Sequence, residues 1–196
     1  MELKGNKIYA LEKIPSELDV FVLKFLRILE KYTEYVIISG YVSILLGRSR
    51  ITEDVDLFIK PLNKQVFSEF YKELIKNDFW CLNAENEDEL YSYLDDHLAI
   101  RFAAEGTYAP NFEIKYPKDE LDEETFSNYL IVVLKIGEIK ISSLERQIAF
   151  KRYYLTGDKD TEDALHIEEL FKNHIDYSKV NKYKELIKLK REVIKE

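Results

Sequence analysis

The chain has 196 residues, enough for one sizeable core or for a catalytic half with a helical extension. Hydrophobic residues make up 46% and charged ones 34%, no apolar run reaches the ~18–20 residues of a membrane span, and no secretion-signal layout opens the chain, so a cytosolic globular protein with no membrane partner is expected. The net charge of -8 argues against extended binding along duplex nucleic acid and leaves room only for a local patch that could hold an RNA end.

In chain order, Pro15-Ser16-Glu17-Leu18 reads as a helix start capped by Ser16, with apolar residues at helical spacing to about Tyr32. Tyr35–Ile38 is a compact β-branched run and predicts a buried strand. Tyr41–Leu46 predicts a short apolar helix ending near Gly47. Asp54–Lys60 alternates and stops at Pro61, as a strand does, and Lys64–Lys76 is amphipathic, with Phe67, Phe70 and Tyr71 on its inner stripe. Phe79–Leu82 predicts a strand with Trp80 in the core, and Glu87–Leu98 a helix. Ala99–Ala104 and Asn111–Tyr116 flank Glu105-Gly106-Thr107 as a hairpin, and Leu130–Ile136 pairs with Glu138–Ile141 around Gly137. Beyond Ser142 everything reads as helix: one opening at Ser142-Ser143, a second over Lys159–Phe171, a third over Lys179–Glu196. The expected architecture is α+β, with an α+β domain over 1–141 and an α-helical region over 142–196 packed on it.

A single Cys81 and three scattered histidines exclude a cysteine cluster and disfavour zinc, so a bound metal would be held by carboxylate oxygens, as magnesium or manganese is. Scarce Gln, Met and Cys beside abundant Lys, Glu and Ile resemble the composition of thermophile proteins. Asp54 and Asp56 lie two apart on a strand and so point to one face, while Val55 and Leu57 point to the other. Paired carboxylates repel unless a cation or proton is shared between them. Taken alone, the pair reads first as the wet face of an amphipathic strand, and it gains meaning only from what precedes it. Ser39-Gly40 sits between a strand and a helix, where glycine allows close backbone approach and helical amides face an anion; an ordinary turn capped by Ser39 is the alternative.

Together, the Ser39-Gly40 turn, the short helix and Asp54-Val55-Asp56 resemble the nucleotidyltransferase superfamily, the polymerase-beta-like fold. The segment Gly47–Leu57 is similar to the Arg-x-Thr-x-Asp-hydrophobic-Asp version found in nucleotidyltransferases related to AbiEii-type toxins. The resemblance implies a mixed sheet flanked by helices and transfer of a nucleoside monophosphate from a nucleoside triphosphate (NTP) to an acceptor hydroxyl, with loss of pyrophosphate. The acceptor stays open among tRNA, protein and small molecule, and a toxin–antitoxin role follows from the AbiEii likeness alone. Asp54 and Asp56 would hold Mg2+ or Mn2+, with Glu113 of Phe112-Glu113-Ile114-Lys115 as third carboxylate, although this family more often has Asp there. Glu113 as the base for the attacking hydroxyl stands level with Glu113 as surface charge. Ser39 and Gly40 would bind the triphosphate. Lys151, from a helix resembling the family's lysine helix, and Asp160, from Lys159-Asp160-Thr161-Glu162-Asp163, would stand in the same cleft; solvated charge at helix ends is the alternative. Arg50, like Arg48, could meet phosphate, pair with Glu53 or be solvated. Two other readings are kept: a catalytically degenerate, antitoxin-like binding protein, and a helical interaction module built on the last three helices.

Overall fold

A computed structural model, which describes residues 1–193, arranges the alternating segments into one nine-stranded mixed sheet among the described residues. The strands are β1 (Glu2–Lys4), β2 (Lys7–Tyr9), β3 (Tyr35–Ile37), β4 (Asp54–Ile59), β5 (Phe79–Cys81), β6 (Ile100–Ala104), β7 (Asn111–Lys115), β8 (Tyr129–Leu134) and β9 (Gly137–Ser142). Their order across the sheet is β1-β2-β8-β9-β3-β4-β7-β6-β5. Seven of them lie where alternation and turn residues predict strands. The first two form a hairpin that alternation alone did not single out, closed by Gly5 at φ 59°, a backbone state that glycine adopts freely. The hairpin joins the sheet through parallel pairing of β2 with β8, so the sheet is wider than the seven segments imply.

The helices are α1 (Glu17–Leu29), α2 (Gly40–Leu45), α3 (Lys64–Lys76), α4 (Glu87–Asp95), α5 (Glu120–Glu123), α6 (Leu144–Phe150), α7 (Asp158–Leu170) and α8 (Tyr177–Val193). A π-helical turn, Lys151–Leu155, continues α6. The third C-terminal helix begins two residues before Lys179, and its expected last residues, 194–196, lie outside the described residues. No helix among the described residues is long and apolar enough to cross a membrane.

Core packing decides which sheet face is free for chemistry. Val55, Leu57, Phe112 and Ile114 are fully buried on one face of β4 and β7. Phe25 of α1 stacks on Phe112 with ring centroids 3.9 Å apart, and Phe70 of α3 meets Phe25 edge-on at 6.3 Å. Phe67 and Phe70 are core residues, as their helical spacing predicts. Trp80 is not. Its ring is half-buried, its indole N–H donates to the Thr107 carbonyl at 2.8 Å, and it packs edge-on against exposed Tyr108. It lies on the face opposite the core because Phe79, one residue earlier, takes the inward position.

The start of α1 is fixed by a reciprocal cap. The Asp19 N–H donates to Ser16 Oγ at 3.1 Å, and the Ser16 N–H donates to Asp19 Oδ2 at 2.8 Å. Asp19 is fully buried, pairs with Lys13 and accepts a 2.7 Å hydrogen bond from the Tyr41 hydroxyl of α2. Burial pushes the Asp19 carboxyl up, but Lys13, the Ser16 amide and Tyr41 outweigh it and hold the pKa below its ordinary value. A carboxyl depressed on folding contributes stability above its unfolded value of ~3.9 and loses it as pH falls through the folded value. Asp19→Asn should therefore cost about 3 kcal/mol at pH 7, and that difference should shrink as pH falls below 4, as read by urea unfolding at a series of pH values. A difference that stays flat on acidification would remove Asp19 from this role.

Candidate active site

The acidic strand is placed by its neighbours. β4 pairs in parallel with β7, with Asp54 opposite Asn111, Asp56 opposite Glu113 and Phe58 opposite Lys115. β7 pairs with β6 so that Arg101 stands opposite Glu113. Side-chain alternation puts all these residues on the face away from α1. Asp54, Asp56 and Glu113 thus share one sheet face, in two adjoining rows.

Their partners differ. Asp54 Oδ1 accepts a 3.0 Å hydrogen bond from Asn111 Nδ2. Asp56 is pushed above the usual carboxylate range, first by burial and further by Glu113 and Asp54, with Lys115 and Ser39 opposing. Glu113 goes the other way: burial raises it, but Arg101 and Lys115 prevail and hold it low. Arg101 donates to Glu113 Oε2 from Nε at 3.1 Å and from Nη2 at 2.8 Å. Lys115 Nζ lies 3.4 Å from Glu113 Oε1 and 3.8 Å from Asp56 Oδ1.

The Ser39-Gly40 turn stands at the end of β3, which is antiparallel to β4, and the Ile38 N–H donates to the Asp56 carbonyl at 2.9 Å. Ser39 has φ 63° and ψ -136°, a region that residues with a Cβ avoid, at a cost of ~1–3 kcal/mol. Its side chain does not cap α2. Gly40 begins α2 under the Arg50 guanidinium, which a Cβ at position 40 would strike. Arg50 Nη2 is held by Asp163 Oδ2 at 3.1 Å.

Asp163 is the hub of the helical side. Fully buried, it takes Lys151 Nζ at 2.8 Å, Arg48 Nε at 3.2 Å and Arg50. Asp160 Oδ1 is 3.8 Å from the same Lys151 ammonium. Arg50, Lys151 and Asp160, expected near the nucleotide, therefore do converge, as members of one buried ion cluster centred on Asp163. Of the alternatives for the arginines, pairing prevails, with Asp163 and Glu162 as partners rather than Glu53.

A cavity of about 710 Å³ opens between the acidic face and the C-terminal helices. Ser39, Asp56 and Lys115 contribute from the sheet side, and Gln147, Lys151 and Tyr154 from α6 and the π-helical turn. Lys118 stands exposed on its wall, and Lys190 of α8 closes one side through ion pairs to Asp119 at 2.7 Å and Asp122 at 3.6 Å. Asp54, Glu113, Gly40, Arg50 and Asp160 do not line it. The sequence reading passed over Lys115, Arg101 and Asn111. Lys115 carried a usable signal, since it lies two residues after Glu113 and so shares its face; Arg101 and Asn111 become visible only with the strand register.

The residues suit a hard divalent cation: Asp54 and Asp56 offer oxygen donors, and Lys115 already stands as a positive charge against Asp56. Among the described residues, no three His, Cys, Asp or Glu side chains are gathered into a preformed metal cluster.

Gly40→Ala should displace Arg50 from Asp163 and cost about 2 kcal/mol. In an Arg50→Ala background the same change should cost much less, a coupling that a double-mutant cycle measures by denaturant unfolding. Equal costs in both backgrounds would mean that Arg50 does not dictate glycine at position 40.

The family described as "Nucleotidyl transferase of unknown function" (DUF2204) matches residues 19–94, which take in most of α1, the Ser39-Gly40 turn and the acidic strand. No curated protein matches the chain. Among solved structures, the antibiotic-resistance factor ANT(2'')-Ia is 14% identical, with a TM-score of 0.58 over 90% of this chain and 94% of its own. The lincosamide antibiotic adenylyltransferase LnuA, in its lincomycin-bound structure, is 16% identical, with a TM-score of 0.53 over 79% of this chain and 98% of its own. An antigenic nucleotidyltransferase-like protein from Paracoccidioides brasiliensis is 16% identical, with a TM-score of 0.51 over 90% of this chain and 88% of its own. With the strained turn, the two-carboxylate strand and the β4–β7 register, these likenesses identify the fold: the chain has the fold of the nucleotidyltransferase superfamily.

Proposed function

We propose that this chain transfers a nucleoside monophosphate from an NTP to an acceptor hydroxyl and releases pyrophosphate. The observation that carries the reading is the joint placement of Ser39 and Asp56 on one cavity, with Asp54 beside Asp56 on the same strand face. Asp54 and Asp56 would hold a magnesium or manganese ion, which when bound supplies positive charge against the phosphate oxygens. The rest of the work falls to the chain. Ser39 offers its hydroxyl to a phosphate, and Lys115 and Lys118 present point charges to the triphosphate. Lys151, committed to Asp163, acts by stiffening the wall behind the turn. Phe150 and Tyr154, both on the cavity wall, give a base an aromatic surface to rest on. In the transfer, a bond forms between the acceptor oxygen and the α-phosphorus, and the bridging bond to the β-phosphate breaks. Pyrophosphate leaves with the electron pair, and the acceptor proton passes to a carboxylate of the Asp56–Glu113 row.

The acceptor is a small molecule, a protein hydroxyl or a tRNA end. ANT(2'')-Ia is described as an antibiotic-resistance factor and LnuA as a lincosamide adenylyltransferase, which supports the small-molecule class. The AbiEii-like segment supports toxin-type use against RNA or protein. One observation favours a second reading, a degenerate binding or regulatory protein: both oxygens of Glu113 are engaged by basic side chains.

Titration calorimetry with each NTP in Mg2+ or Mn2+, followed by α-labelled transfer assays on RNA, protein and antibiotic pools, separates the two. The enzyme reading expects NTP binding weakened at least about tenfold by Asp54→Asn or Asp56→Asn, and label transfer abolished by either. Binding with no transfer to any pool favours the degenerate reading. No metal-dependent NTP binding at all, with Asp54→Asn indistinguishable from the parent, ends the enzyme reading.

A further inference from the structure

We propose that Lys115 is the second cation of this site, its ammonium taking the place of a second divalent ion, so that the chain binds one divalent ion through Asp54 and Asp56. The proposal rests on the nucleotidyltransferase reading above and assigns Lys115 and Glu113 a role different from the expected metal triad.

The first argument is position. Glu113 and Lys115 are two apart on β7 and share a face, and Asp56 stands beside Glu113 in parallel register. The Lys115 ammonium reaches back between the two carboxylates, 3.4 Å from Glu113 and 3.8 Å from Asp56, with the Phe58 ring centroid 5.9 Å away. Paired metal ions in phosphoryl-transfer sites stand ~3.5–4 Å apart. An ion bridging Asp56 to Glu113 would need the space that the ammonium fills.

The second argument is ligand capacity. Glu113 Oε1 faces Lys115, and Oε2 takes two hydrogen bonds from Arg101. A divalent ion at Glu113 would have to break both contacts and leave two cations close to itself. Asp54, by contrast, gives one oxygen to the neutral Asn111 amide, which a cation nearby does not repel.

The third argument is charge. Three carboxylates with two divalent ions carry a net charge of plus one. Asp54, Asp56 and Glu113 with Lys115, Arg101 and one divalent ion carry the same plus one. The site thus offers a triphosphate the same local charge with a single ion, and the second positive centre is covalently fixed. Lysine suits that place because its ammonium is a compact point charge, and Lys115 also lines the cavity.

The test is a count of Mn2+ ions on the full chain by electron paramagnetic resonance, with an α,β-methylene NTP held equimolar to protein. One ion per chain is expected at saturation. Glu113→Gln should leave Mn2+ affinity within about twofold, while Asp54→Asn lowers it at least about tenfold. Lys115→Met should tighten binding or admit a second ion. Two ions on the parent chain overturn the proposal and leave the nucleotidyltransferase reading intact. So does a Glu113→Gln loss as large as that of Asp54→Asn. No Mn2+ binding by the parent chain overturns both. The parent count needs no variant to fold, and circular dichroism melts check that each variant does.

Discussion

Everything at this site depends on the parallel pairing of β4 with β7. That register sets Asp56 beside Glu113 and Asp54 beside Asn111, and it is held from the opposite face of the same strands. Val55, Leu57, Phe112 and Ile114 are sealed against α1, α3 and neighbouring strands, and a slip of one residue would turn them all toward the acids' side. The electrostatics of the cavity is therefore enforced by the hydrophobic core. The carboxylates need no attraction to one another to stay adjacent, and indeed they repel.

A second constraint joins the helical end to the sheet. Asp163 gathers Lys151 from the π-helical turn and Arg48 and Arg50 from the loop after α2. A carboxylate buried this deeply is tolerable only because several cations compensate it. Its helix start is favourable for acids through the dipole alone, which is why the charges there are ambiguous in sequence. In the fold Asp160 and Asp163 are buried and stand off the cavity, while Lys151, which pairs with Asp163, reaches its wall. They are a weld, and the Ser39-Gly40 turn is built against it.

Much of this was legible in the residues. The turn, the acidic strand and the span Lys64–Lys76 follow from local pattern, because each is fixed by interactions close in sequence: turn geometry, alternation and helical spacing. What was not legible depends on partners far away in sequence. The first hairpin has strands of three residues and gains its place from β8, more than a hundred residues on. Trp80 looked like core because its size and neighbours are apolar, yet the pleat assigns inward burial to Phe79. Lys151 was marked by its resemblance to the family's lysine helix, and its pairing with Asp163 becomes visible only in the fold. Arg101 needed the hairpin register before it could be set against Glu113.

Ser39 has a bearing on when the cost of ordering is met. Its backbone is strained, and it sits between a strand tied to β4 and a helix pinned through Tyr41 to Asp19 and overlaid by Arg50. A turn braced on both sides cannot relax by drifting to a softer conformation. The unfavourable entropy of fixing it is met once, at folding, and would not be charged again to a phosphate bound there on the proposed reading. On the proposed reading, in which an acidic protein draws a triphosphate toward its own carboxylates, such stiffness would favour binding with no additional positive charge.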